Sequence, residues 1–476
     1  MKVRSAVFFN NAEFHGPVDF NSANFSMDFF ADEANFASKN IAIFNNIKVG
    51  GSAFVRNAHF EGPVDFEWSD FGDLFCAQET IFESAEIVNY KGMKVGKDAD
   101  FSFAIFNGPV VFRYASIEFN FRLNGAHFCY LAENPLPREI AAEFDGNFMR
   151  VGKIVSFNKT YFAGQTSLSW AKISHLHLDN SKSKLLILEG TKIEEEFRIV
   201  NTEINKFICS DLIVNGAATF KDARLSFEVN LRGASFQRVN LIDVDWPKDV
   251  NNVVFDGLTY ISISTGQNTE DQVNQIKLIK WLENSSFNTE NYNQLEAYWQ
   301  RCGNRYNADD VHIAGKKREL DSREPGLSKL ATRIFWQGLT GFGRKAGRTL
   351  YAAMALIFLG IIFFTPPTLH KDNWLAQTSF YQAANAEAKA PAPGTQDPGR
   401  NPASYCPLPN CQNLALRGII SIDRLLPSWV DLGVARDWRP EGREISGWTL
   451  FYWNFHRVWG WILVAIGVAA LSTRFK

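Results

Sequence analysis

Apolar residues in the first half of the chain recur every five or six positions, a spacing that matches neither the 3.6-residue turn of a helix nor the two-residue alternation of a flat strand. Phe14, Phe20, Phe25, Phe30 and Phe36 set this beat. In the clearest units a small residue stands two places ahead of the apolar one: Ala12 and Phe14, Ala23 and Phe25, Ala34 and Phe36, Ala58 and Phe60, Ala99 and Phe101, Ala126 and Phe128. The residue between them is polar (Glu13, Asn24, Asn35, His59, Asp100, His127), so it points outward while its neighbours point in. A coarser repeat overlies the fine one. The ten residues from Asn11 to Phe20 return from Asn57 to Phe66 and again from Phe103 to Phe112, at an interval of 46, each with a Gly-Pro-Val centre. A second phrase keeps the same interval in Lys48-Val49-Gly50 and Lys94-Val95-Gly96, and comes back after an insertion as Arg150-Val151-Gly152. Self-similarity at a fixed period predicts stacked coils over residues 1–262, with one ring per short unit filling a narrow interior.

These units resemble the pentapeptide-repeat family. The resemblance implies a right-handed quadrilateral β-helix in which four units make one square turn, so that 46 residues are two slightly enlarged coils. The pattern weakens after an insertion at Glu133–Gly146 and resumes in Phe162, Leu168 and Ile173, then at Phe220, Leu225 and Phe236. With layers roughly 4.8 Å apart, about eleven coils would build a rod on the order of 50 Å long, and its blank end needs a cap. The Gly-Pro-Val elements read as corners, where proline's missing N–H is not needed.

Past Ser264 the spacing becomes helical, in Val273, Ile276, Ile279 and Leu282, then Tyr292, Leu295, Tyr298, Trp299 and Cys302. Asn307 followed by Asp309 and Asp310 reads as a helix start. We assign residues 263–346 to a helical junction. Its end, Lys316 to Arg348, is basic. A basic run directly before an apolar segment is what the positive-inside rule requires of a membrane protein, and phosphate binding is the alternative.

Thr349–Leu369 carries no charge, and about 20 apolar residues suffice to cross a bilayer. A second apolar stretch gives a span over 454–473. Residues 347–476 are therefore expected to form a two-span membrane domain in the bacterial inner membrane, with both termini cytoplasmic and the 370–447 loop periplasmic. Within that loop, residues 414–426 read as an amphipathic helix whose apolar side faces away from a stripe of Arg417, Ser421 and Arg424. It is either a pore helix or a helix lying flat on the membrane. Asn454, His456 and Arg457 are interfacial anchors or cavity-lining residues. Two spans cannot enclose a conduit, so conduction would require a homo-oligomer, most simply a tetramer. Arg417, Asp423, Arg424, Asp431, Asn454, His456 and Arg457 are the candidates for its lining.

With 476 residues the chain has room for two or three domains, and a net charge of -2 exerts no global pull toward nucleic acid. The excess of phenylalanine, 42 against 12 tyrosines, belongs to the repeats. The chain opens on repeat sequence and not on an apolar run, so no signal peptide is expected. Cys76, Cys129, Cys209 and Cys302 stand singly, as small buried residues do. Cys406 and Cys411 bracket a Pro-rich stretch and are candidates for a disulfide outside the cytoplasm, with zinc binding or free thiols as the alternatives. His175 and His177 alternate with leucines and should share an exposed strand face. There is no phosphate loop, His-x-x-x-His motif, paired-Cys site or nucleophile elbow. We therefore expect no enzyme activity, cofactor or metal.

The whole layout is similar to the channel component of Hailong-type antiphage systems. That resemblance implies a nucleotidyltransferase partner and a single-stranded DNA oligomer that binds the cytoplasmic part and holds the channel shut. Such a ligand needs Lys or Arg with nearby aromatics, and Lys316, Lys317 and Arg318 are the candidates. A membrane-tethered scaffold that conducts nothing and recruits protein partners is the competing reading.

Overall fold

Polar-apolar pairs two residues long become two-residue strands, each with one side chain in and one out. The computed structural model describes residues 1–129, 144–266, 271–345, 347–363, 411–426 and 447–474. They divide into two units, Met1–Gly315 and Lys316–Lys476.

The first unit is a parallel β-solenoid of about 11 turns, consistent with a pentapeptide-repeat-like β-helix. Its early coils have four short strands each, as in Lys48–Val49, Ala53–Phe54, His59–Phe60 and Val64–Asp65. Register from Asn35 to His59, Ile81, Ile105 and His127 advances by 24 and 22 residues alternately, so one coil of each length makes the 46-residue interval. The cause is one corner. It takes three residues at Glu61-Gly62-Pro63 but five between Phe36 and Ala42, and again three at Asn107-Gly108-Pro109 but five between Phe82 and Val88. The narrow corner nests in the wide one: a Cβ on Gly62 would lie 2.4 Å from the Asn40 carbonyl oxygen, and one on Gly108 2.3 Å from that of Glu86. Only glycine permits so close an approach.

Inside, rings stack in columns. Phe14, Phe36, Phe60, Phe82, Phe106, Phe128 and Phe162 follow one another at centroid separations of 4.3–5.3 Å with nearly parallel planes. The small residue of each unit proves to be the inner side of a tight turn, where Ala23, Ala34 and Ala58 are buried. Where a hydroxyl replaces it, the group donates to the preceding coil: Ser69 to the Phe44 carbonyl (2.9 Å), Thr80 to Val55 (2.6 Å), Thr191 to Leu168 (2.7 Å). Buried polar groups are tolerated on those terms.

Beyond Arg150 two of the four corners straighten. Strands lengthen to between six and nine residues, as in Arg150–Ser156, Lys172–Asp179 and Lys192–Val200, and the interior turns aliphatic, with Leu176, Leu186, Ile193 and Ile199 buried. Alternation of period two replaces the five-residue beat, which is why the repeat fades in sequence. The solenoid's last coils are closed by helices α1 (Asp271–Glu283) and α2 (Thr289–Arg301). Trp281 of α1 packs on Phe255 at 4.7 Å, and Ser286 N donates to Val253 O, a carbonyl at the open strand edge. These helices supply the cap that a stacked fold requires.

Helix α3 (Arg305–Ser322) begins earlier than the sequence indicated. Asn304 is its cap, accepting from Asn307 N at 3.1 Å, and Asn307 is buried. The second unit adds α4 (Leu327–Ala331), a π-helical stretch Thr332–Leu339, α5 (Gly347–Phe363), α6 (Cys411–Leu425) and α7 (Gly447–Arg474). Helices α5 and α7 overlap the expected spans 349–369 and 454–473, but among the described residues no helix is long and apolar enough to cross a membrane.

Candidate nucleic-acid interface

Each coil crosses from its last face to its first through a tight turn with one residue at positive φ. Down this corner those residues are Ser22, Asn46, Trp68, Gly92, Tyr114, Phe148, Trp170 and Gly190, and each backbone N–H donates to the carbonyl just ahead of the next turn residue. Trp68, Tyr114, Phe148 and Trp170 hold φ of 56°, 64°, 61° and 62°. For bulky side chains this conformation is a genuine outlier, costing about 1–3 kcal/mol at each position. Partial burial offsets some of it. The Trp68 ring lies over Gly92, where a Cβ would come within 2.2 Å of it, and Trp170 covers Gly190 in the same way at 2.6 Å. Tyr114 stacks on Phe148 at 5.1 Å. Still, the four residues remain 51, 50, 44 and 54 % exposed.

Two residues past each turn begins the first face. Register there runs Asp70, Lys94, Ser116, Arg150, Lys172, Lys192 over the same six coils. These are the positions of the Lys-Val-Gly phrase and its continuation. Lys94, Arg150, Lys172 and Lys192 are exposed, and among the described residues none of them forms an ion pair. Like charges facing one another on adjacent strands are destabilising, so Arg150, Lys172 and Lys192 in consecutive layers do not serve the fold. The opposite flank of the corner is neutralised: Lys91 pairs with Glu67 at 2.8 Å and Arg113 with Asp145. From Lys94 to Lys192, four layer spacings of roughly 4.8 Å or about 19 Å, aromatic faces therefore run beside cations without ion-pair partners.

The residues singled out from sequence lie elsewhere. Lys316 pairs with Glu319 at 2.8 Å, and Arg323 joins the same carboxylate at 2.7 Å. Lys316 and Arg323 hold the Glu319 carboxyl below its ordinary range. Lys317 is exposed and Arg318 half-buried; successive helical residues point about 100° apart, so the three form no common patch. His175 and His177 do share a face, 6.1 Å apart, while the alternating Leu176 and Leu178 are buried, but they pair with Glu195 and Glu196 of the next coil. Among the described residues no group of acids, histidines and cysteines is arranged to hold a metal.

In the second unit the polar stripe of α6 is not where the amphipathic pattern put it. Ser421 is fully buried and bonds His456 of α7 at 3.0 Å, while Ile422 and Leu414 are exposed. A neighbouring helix that offers an imidazole overrides the one-helix reading. His456 also meets the Tyr452 hydroxyl at 3.2 Å and is buried within the helix packing. Arg424 lies over the Trp453 ring at 4.0 Å, Asp423 is buried, Arg417 and Arg457 are half-buried, and Asn454 is exposed. Gly460 permits the crossing, since a Cβ there would stand 2.5 Å from the Leu425 carbonyl oxygen. Asp431, Cys406 and the side chain of Cys411 lie outside the described residues.

Sequence inspection missed the corner because its members come from successive coils: the aromatics stand 22 to 46 residues apart in the chain and the cations 20 to 56. The signal was present, however: Trp68, Tyr114, Phe148 and Trp170 each stand two places before the outward residue that opens a strand. No protein-family profile, curated protein or solved structure matches this chain.

Proposed function

We propose that the solenoid is a receptor for a single-stranded oligonucleotide and that the helical region is the element it controls. The observation that carries this is the strained, half-exposed aromatic column running beside unpaired cations. Bases stack on aromatic faces without regard to sequence, and lysines and arginines track the phosphates. Four cations in six layers match a short linear polyanion better than a compact one. The helical region acts as an oligomeric membrane assembly that conducts ions and is held shut while the strand is bound; the uncharged Thr349–Leu369 and the basic run ahead of it support that part.

The test has two arms. A labelled single-stranded oligonucleotide of about ten nucleotides should bind the full chain, with affinity falling steeply with salt. Liposomes holding the protein should pass ions, and the same oligonucleotide should suppress the flux. Absence of binding removes the receptor, whereas binding without any flux leaves a scaffold. One observation favours the scaffold reading: Phe8, Phe30 and Phe54 stack on the outer surface at 5.0 and 5.2 Å, a ridge suited to a protein partner.

A further inference from the structure

The solenoid's two ends are finished differently. Helices α1 and α2 close the last coils, but among the described residues no strand pairs with the outer edge of the first coil, formed by Lys2–Val3, Val7–Phe8, Glu13–Phe14 and the bridge at Asp19. Its inward residues Val3, Val7, Phe9, Phe14 and Phe20 are only half-buried, whereas Phe25, Phe29, Ala31, Phe36 and Phe44 one coil later are buried. Columns that are dry elsewhere end here on a wetted face.

The backbone is open on the same side. Val7 N and Phe9 N donate to Asp28 O and Phe30 O, and the Val3, Phe14 and Val18 carbonyls accept from Ser26 N, Ala37 N and Ile43 N. Successive residues of a strand present these groups to opposite sides, so the N–H and C=O of Lys2, Phe8, Glu13 and Asp19, one residue per face, point to the free edge. Such an edge is a template for another chain.

The rim charges decide which chain fits. Lys2 and Arg4 are exposed on the first face and form no ion pair among the described residues. Glu13, paired with His15 at 3.3 Å, and Asp19 are exposed on the third and fourth faces. A rim basic on one side and acidic on another complements a second copy of itself. Head-to-tail stacking is closed off, because the Val253 carbonyl at the far edge already accepts from Ser286 N.

We infer that two copies of this chain join head to head through their first coils, about a two-fold axis lying across the end. The coils then run in opposite senses, so each edge strand meets one antiparallel to it. Four such axes fit a square. Two of them set Lys2 against the partner's Glu13 or the partner's Asp19; the other two set acid against acid, which disfavours them. The contact also removes the half-buried apolar residues from water, and it does not depend on the oligonucleotide reading.

The purified full chain tests this in two ways. Carbodiimide treatment of an equal mixture of isotopically light and heavy protein should join Lys2 to Glu13 or Asp19 in peptide pairs of mixed label. Electron micrographs should show solenoids joined end to end into rods on the order of 100 Å, twice the single length. Lys2→Glu/Arg4→Glu changes only exposed side chains and should lower the joined fraction at least about tenfold, as should Glu13→Lys/Asp19→Lys. An equal mixture of the two variants should rejoin the rods, which a misfolded first coil would not do. Absence of mixed-label pairs, single rods in the native protein, or rods that stay joined in either variant would each overturn the assignment.

Discussion

Every coil makes two tight turns, and the two columns of positive-φ residues they create differ in how many large aromatics they hold. One column runs Asn11, Glu33, Asn57, Glu79, Phe103, Gly125, Lys159, Asn180, Asn201, Asp222 and Asp243. Most of these are Asn, Asp or Glu, and Asn and Asp tolerate the left-handed region by local hydrogen bonding; Asn201 even donates to Asn180 at 2.8 Å. The other column has Ser22, Asn46, Gly92, Gly190 and Asp211 but also Trp68, Tyr114, Phe148 and Trp170 in the same backbone conformation. Since asparagine would satisfy the geometry at either corner, the rings are explained by what they face outward.

The largest effect expected from breaking this contrast is electrostatic. Reversing Lys94, Arg150, Lys172 and Lys192 to Glu should reduce oligonucleotide affinity by more than about 100-fold. In the native protein the slope of log affinity against log salt should be roughly −3, four single-strand phosphate contacts at about −0.7 each. Fluorescence polarisation at two salt concentrations reads both; an unchanged affinity in the variant removes the corner as the site.

Next comes the exchange of corners. Trp170→Asn should cost about 1–3 kcal/mol of binding, the stacking of one base, while thermal stability holds or rises because the strain is relieved. The reciprocal Asn180→Trp should lower stability and leave affinity as it was. If Trp170→Asn instead unfolded the solenoid and spared binding, the rings would be structural.

Two glycines sharpen the comparison further. Gly190 under Trp170 and Gly125 under Phe103 have φ of 61° and 68°, and a Cβ at either would meet the ring at 2.6 Å. Alanine at each should destabilise by about 1–2 kcal/mol, measured in denaturant melts. Only Gly190→Ala, by lifting Trp170, should also weaken the oligonucleotide complex.

The smallest effect lies on the second face of the same coils. Burial, reinforced by Arg198, lowers the His177 pKa, although Glu196 opposes the shift. The unfolded chain then takes up the proton first, near the ordinary value of about 6.5. Stability from this group is intact above that value, falls as pH drops through it and levels off below the folded-state pKa. His177→Gln should remove that part of the acid-side decline, seen as a smaller loss of melting temperature between about pH 7.5 and pH 5.

Much of the solenoid was legible because its periodicity is local. Each unit carries its own inward ring and outward polar residue, so Phe36 and Phe60 could be assigned to the interior from spacing alone. The later coils were harder: once Lys172–Asp179 runs on without a corner, alternation of period two looks like any half-buried strand. For α6 the amphipathic reading sent Ser421 outward, and the partner that buries it lies 35 residues away on α7.

What the amino-acid order determined by itself is the stacking of coils and the alternation of wide and narrow corners, because both arise from contacts within one or two turns of chain. Tertiary structure decided which outward residues became neighbours. A cation column and an aromatic column are each assembled across coils, and whether two side chains from different layers meet depends on register between layers, which no single repeat encodes.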